Sequence, residues 1–222
     1  IILNGNSNET IPNNFSASNT TDILFTGGST GIHKGVELNS NGLNNVVKSL
    51  DSIFYLEPGM IHLGNIPFGH MIFGRFALHY SLTHNLEYAL TLEGLPNKFL
   101  DEIIRTKANG AMGGPVHWNT LPNHPLLKKG CLSEFYQACT GGEMLKTEDE
   151  KNDNAAMKFA GSDAKLINML GLTEMSGATH INIPGKNTPG TIGSPIEYVE
   201  DIIVDPKSLD GSETGKQIKL QE

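Results

Sequence analysis

The sequence predicts an α/β fold: a mostly parallel sheet flanked by helices, with a short antiparallel β region at the C-terminal end. Three observations lead there. Short apolar runs alternate with stretches of helical spacing from residue 22 to about residue 170. Several of those runs stop at a glycine, a proline or a threonine, as strands do when they open into loops. From Gly190 onward the pattern changes to turns and short alternating segments.

The elements follow in order. Residues 4–21 are rich in Asn, Ser and Thr and read as a polar leader, 1–21, ahead of the packed chain. Residues 22–26 form a short strand that runs into the glycine-rich stretch 27–35. Residues 39–54 follow as a helix, with Leu43, Val46, Val47, Leu50 and Phe54 at helical spacing and Asn39 or Ser40 placed to cap it. Strands are expected at 60–66, 88–92, 111–114, 135–140 and 165–170. Helices are expected at 71–82, 97–107, 116–122 and 148–159. Residues 198–204 alternate and read as a strand, with 217–220 as its hairpin partner. Thr26, Pro67, Gly113, Gly141 and Gly171 all stand at strand ends. In open α/β sheets, ligands bind beyond the carboxyl ends of strands, so a site built from these positions is expected.

Composition narrows the function. The 222 residues carry 16 basic and 24 acidic side chains, a net charge of −8. The basic residues are scattered, which argues against a nucleic-acid partner. A local phosphate site is still allowed, because backbone amides and one or two cations suffice to build it. The two cysteines, Cys131 and Cys139, lack zinc-site spacing and read as reduced thiols of a cytoplasmic protein. No apolar run reaches the roughly 18 residues of a membrane span. No basic region precedes the short apolar start, so no secretory signal is visible and the sequons at Asn8, Asn14 and Asn19 carry little weight.

The stretch from Thr26 to Gly35 holds the clearest chemistry. Gly27, Gly28, Gly31 and Gly35 let the backbone turn and approach a ligand closely. Ser29 and Thr30 supply hydroxyl donors, and Lys34 supplies a point charge. Successive amides in such a loop can face phosphate oxygens. The pattern is not a Walker A loop, because Lys34 precedes a glycine and not a serine or threonine.

The run Phe25-Thr26-Gly27-Gly28-Ser29-Thr30-Gly31-Ile32-His33-Lys34-Gly35-Val36 resembles the signature phosphate loop of the adenylate-forming superfamily of acyl-CoA synthetases, luciferases and peptide-synthetase adenylation domains. Gly27 stands where that loop usually has serine, and His33 where it has proline. Four further segments resemble the family in the same order. These are Pro67-Phe68-Gly69-His70, Gly141-Gly142-Glu143, Gly171-Leu172-Thr173-Glu174, and Gly190-Thr191-Ile192-Gly193-Ser194-Pro195. The resemblance covers roughly residues 20 to 220.

It implies a nucleotide-binding α/β core over 22–189 and the start of a β-rich subdomain over 190–222. It implies that the family's small C-terminal domain, this chain's partner in the parent protein, lies outside the sequence. Thr26 to Gly31, Lys34 and Gly35 would hold the ATP phosphates. Thr173 would bond the α-phosphate, and Glu174 would hold Mg²⁺. Gly141, Gly142, Glu143, Leu170 and Gly171 would line the adenine and acyl pocket, with Leu170 replacing the usual tyrosine. His70 would sit near the substrate carboxylate. The implied reaction joins a carboxylic acid to AMP and then passes the acyl group to CoA or another thiol.

No carboxylate lies between Leu63 and Gly74, where amino-acid-activating members carry an aspartate. A fatty or aromatic acid is therefore expected over an amino acid, since a buried ammonium without a partner is costly. Two other readings stay open on the sequence alone: a nucleotide-binding module without catalysis, and an α/β domain whose glycine-rich loop is only a turn.

Overall fold

A computed structural model describes residues 16–26, 33–54, 56–91 and 94–202. The elements in chain order are β1 (Thr20–Thr26), β2 (Lys34–Asn39), α1 (Ser40–Leu50), β3 (Ile61–Gly64), a π-helical turn (Met71–Phe76) continuing into α2 (Ala77–Thr83), and β4 (Glu87–Leu90). Then come α3 (Phe99–Thr106), β5 (Gly110–Met112), α4 (Pro115–Trp118), β6 (Gln137–Gly141), α5 (Thr147–Phe159), β7 (Leu166–Leu172), β8 (Gly177–Asn182) and β9 (Ser194–Pro195).

Seven strands make the main sheet, in the order β4-β3-β5-β6-β7-β8-β9. The five from β4 to β7 are parallel; β8 and β9 add to that edge antiparallel. The predicted α/β class is thus the observed one. Strand residues point alternately to opposite faces, and here both faces are covered. Met112, Cys139, Ile167 and Met169 pack with Leu43, Val47 and Leu50 of α1 and with Phe76 and Tyr80. Ala111, Ala138 and Leu166 pack with Leu100 and Ile103 of α3, Trp118 of α4 and Met157 of α5. The Trp118 indole N–H, fully buried, is satisfied by the carbonyls of Gly113 at 3.1 Å and Cys139 at 3.0 Å.

Three expectations need correction. The strand ending at Thr26 is not part of the parallel sheet; β1 pairs with β2 in a separate antiparallel hairpin. The alternation over 198–202 is not a strand, because Tyr198 adopts a left-handed φ of 71°, which breaks the extended path. The segment read as 165–170 runs on to Leu172, with a register shift at Leu170/Gly171, and pairs with β8, a strand the pattern did not reveal. The leader up to residue 15, positions 203–204 and the expected hairpin partner 217–220 lie outside the described residues.

Local signals account for the helix boundaries. The Asn39 side chain caps α1 by accepting the Gly42 N–H at 3.0 Å. Glu148, Asp149 and Glu150 occupy the first turn of α5, where negative charge meets the positive end of the helix dipole. The hairpin is held in two ways. Leu38 is buried in the core, with Leu24 and Val36 packed against it. Arg75 reaches across to Asp22 with two parallel bonds of 2.7 and 3.0 Å.

Two carboxylates should then push acid stability in opposite directions. Asp22 is held below the usual carboxylate range, first by its hydrogen bond to Arg75. Its contribution is present above the ordinary aspartate range and is lost as pH falls through the lowered value. Arg75→Gln should therefore flatten the acid limb of a stability-versus-pH curve. Asp153, buried with both oxygens unpartnered, is pushed up to about 7 by burial and then by Asp149. Its protonated form is the one the fold accepts, so stability is full below the unfolded aspartate value and falls as pH rises towards 7. Asp153→Asn should raise the urea midpoint at pH 8 and leave it nearly unchanged at pH 4, because each tenfold bias of the fold towards the protonated acid is worth about 1.4 kcal/mol. A midpoint at pH 8 that does not rise would refute this.

Candidate nucleotide site

Backbone pairing comes first. Thr26 and Lys34 are opposite one another at the last pair of the β1–β2 hairpin, so the glycine-rich stretch is the segment of chain that connects these two strands. Gly27, Gly28, Ser29, Thr30 and Gly31 lie outside the described residues. Lys34 and Gly35 begin β2 and are exposed. This strand packs against the 3-10 turn Thr173–Met175 that follows β7. The turn ends at Ser176 in a left-handed conformation (φ 61°), and the Ser176 side chain lies against Gly42 in the first turn of α1. Lys34 and the Thr173-Glu174 pair, distant in sequence, are thereby carried on touching elements.

His70 is fixed from the other side. It caps the Met71–Phe76 turn, its Nδ1 accepting the Phe73 N–H at 3.3 Å. Its ring stacks on Phe73 with centroids 5.2 Å apart and planes 8° from parallel. Burial pushes its pKa down, which favours the neutral ring. With Nδ1 accepting, the proton sits on Nε2, leaving one N–H donor to aim at an anion. The Phe73 ring in turn lies against Gly141 and Gly142 at the end of β6. A side chain at Gly141 would put its Cβ 2.2 Å from the Met169 carbonyl oxygen of β7, so only glycine lets these strand ends run this close.

A cavity of about 330 Å³ opens beside them. Residues 142–145 after β6 form one wall, residues 168–171 of β7 the floor, and residues 190–192 the opposite wall. Gly142, Glu143, Leu170 and Gly171 were expected here from the sequence; Asn168, half-buried on β7, was not. Nothing in its local pattern marks it, although it stands two residues before Leu170. The Thr179 hydroxyl bonds the Leu170 carbonyl at 3.3 Å, next to the register shift, and helps turn Leu170 outward to 39 % exposure. Among the described residues no group of three or more His, Cys, Asp or Glu could enclose a metal ion. Glu174 is a single exposed carboxylate on a turn, a donor set that suits a magnesium ion completed by phosphate oxygens and water. No helix among the described residues is long and apolar enough to cross a membrane.

The start of β2, the turn after β7 and the cavity lined by the ends of β6 and β7 thus lie on connected elements. Comparison with known proteins gives the same frame. Luciferin 4-monooxygenase of Photinus pyralis is 26 % identical over 216 residues, which is 96 % of this chain and 37 % of that protein. The ATP-bound structure of MatB from Rhodopseudomonas palustris superposes with a TM-score of 0.75 at 24 % identity, covering 94 % of this chain and 39 % of that one. The anthranilate CoA ligase AuaEII in complex with anthranoyl-AMP superposes with a TM-score of 0.70 at 18 % identity, covering 90 % and 37 %. These relatives share the fold, and the chain spans less than two-fifths of the length of each. The family described as AMP-binding enzyme matches residues 4–217, and the chain belongs to that family.

Proposed function

We propose that this chain supplies the ATP-binding part of an enzyme that activates a fatty or aromatic carboxylic acid as its acyl-adenylate and transfers the acyl group to CoA or another thiol. Family membership supports adenylate formation. The observation that carries the residue assignment is the contact between the Lys34 strand and the Thr173–Met175 turn, beside a cavity floored by Leu170 and Gly171. In this reading residues 22–189 are the nucleotide-binding core, and residues 190–222 open a β-rich subdomain. The parent's small C-terminal domain is the partner that completes the reaction.

The roles follow from the chemistry of each group. Lys34 and the amides of the glycine-rich stretch hold the β- and γ-phosphates, and Thr173 bonds the α-phosphate. Glu174 holds magnesium, which when bound offsets phosphate charge. The adenine lies in the slot between residues 142–143 and Leu170, where a leucine gives apolar contact without aromatic stacking. His70 Nε2–H donates to the acid's carboxylate and fixes its attack on the α-phosphorus, a contribution of orientation and not of proton transfer. The absence of a carboxylate from Leu63 to Gly74 supports an acid without an ammonium group.

Calorimetric titration of Mg·ATP into the chain tests the reading. Lys34→Ala and Glu174→Ala should each weaken binding by about tenfold or more, roughly 1.4 kcal/mol. Glu174→Ala should also lose the dependence on magnesium. Binding that ignores both substitutions would overturn the assignment. Binding that depends on both, in a parent protein that fails to exchange pyrophosphate into ATP, would favour a nucleotide-binding module without catalysis.

A further inference from the structure

One wall of the candidate cavity belongs to a loop, and a buried side chain braces the part of it that lines the cavity. Residues 183–193 leave β8 and return to it at β9. Asn182, the last residue of β8, is 4 % exposed. Its Nδ2 donates to the Thr188 carbonyl at 2.8 Å, the Thr191 carbonyl at 2.9 Å and the Thr191 hydroxyl at 3.1 Å. Thr191 tightens the same turn, its hydroxyl donating to the Thr188 carbonyl at 2.8 Å and accepting from the Gly193 N–H at 3.2 Å. At Gly193 (φ 83°) an added Cβ would fall 2.0 Å from the Ile181 carbonyl oxygen, so the returning strand is pressed onto β8. At the start of the loop Ile183 packs against the core, and Asn187 accepts from the Ile183 N–H and donates to the Ser194 hydroxyl, whereas Thr191 and Ile192 are both exposed. The shape of the 188–191 turn therefore rests on the Asn182 amide and on Thr191.

Asn182 also stands directly opposite Asn168 in the antiparallel β7–β8 pair, and opposed residues project to the same face. Asn168 lies on the cavity floor, and Gly190, Thr191 and Ile192 form its far wall. Floor and wall are thus set by two facing asparagines. We propose that Asn182 is a positioning residue for nucleotide binding: it touches no ligand, and its amide holds residues 188–191 so that residues 190–192 close the cavity over the base. This rests on the cavity being the nucleotide site, as argued above.

The test compares Mg·ATP affinity in the chain with that of Asn182→Ala, Asn182→Asp and Thr191→Val, using Lys34→Ala as the reference. Asn182→Ala should weaken binding by about tenfold, in line with the cost of misplacing a positioning group. Asn182→Asp should be worse although it keeps the volume, because a carboxylate would face two carbonyl oxygens with no proton to offer. Thr191→Val, at an exposed position, should fold normally and weaken binding in the same direction. Amide hydrogen exchange over 188–192 should speed up in all three variants, and ATP should slow it in the parent. Folded Asn182→Ala and Thr191→Val variants that bind as the parent does, while Lys34→Ala does not, would overturn the proposal and leave the nucleotide reading intact. A parent that binds no Mg·ATP would overturn both.

Discussion

A sheet covered on both faces leaves its strand ends as the place where polar chemistry can meet solvent, and this constraint organises the molecule. The two apolar clusters take alternate residues of β5, β6 and β7, so the middle of these central strands is covered on both faces. Helices must therefore be joined to strands through loops at the edges, and backbone groups left unpaired at those edges become the donors of a site. At the carboxyl end the crowding is severe enough that Gly141 admits no side chain against Met169. The ends of β6 and β7 can run this close because Gly141 carries no side chain.

The hairpin is the exception, and it carries Lys34 of the candidate site. It shares no strand pairing with the sheet. Its register onto the core comes from Leu38 and from Asp22 paired with Arg75. Arg75 belongs to the turn that His70 caps, so one ion pair ties the hairpin to the element that carries the histidine. Such a pair is about a fifth exposed, where water screens it only in part, and its two parallel bonds restrict direction as well as distance.

How much of this was legible follows from the same physics. Helical spacing exposed α1 and α3 because each buries one stripe, and glycine or proline punctuation marked the ends of β3, β5 and β6. The glycine-lysine stretch was legible by composition. Its hairpin setting was not, because periodicity says that a segment is extended and not which strand it pairs with. Strand β8 escaped notice because Gly177-Ala178-Thr179-His180-Ile181-Asn182 is polar yet wholly buried. Its polar groups are satisfied by partners further along the chain: His180 by Asp201 at 2.8 Å, Asn182 by Thr188 and Thr191. Apolar periodicity does not register such pairings. The alternation at 198–202 misled for the converse reason, since a left-handed Tyr198 under the Lys48 ammonium makes a turn from a sequence that reads as extended.

The surface around the cavity completes the physical account. Met144, Leu170, Leu172, Met175 and Ile192 are all exposed, and each lies at the cavity or within a few residues of it. Exposed apolar side chains gathered in one place mark a surface meant to be covered, whereas scattered ones mean little. A planar base slid between residues 142–143 and Leu170 would remove part of that surface from water, at about 25 cal/mol for each Å² of apolar area. The same area is indifferent to which flat ring covers it. In the proposed reading discrimination would come from directional groups lining the cavity, such as the Asn168 side chain, whose unmet hydrogen bonds would penalise the wrong ring more than apolar contact rewards the right one. In the same reading, affinity for the triphosphate would rest with the β1–β2 hairpin and selection of the base with the β6–β7 edge, where the Asn182 amide holds the turn that lines the cavity.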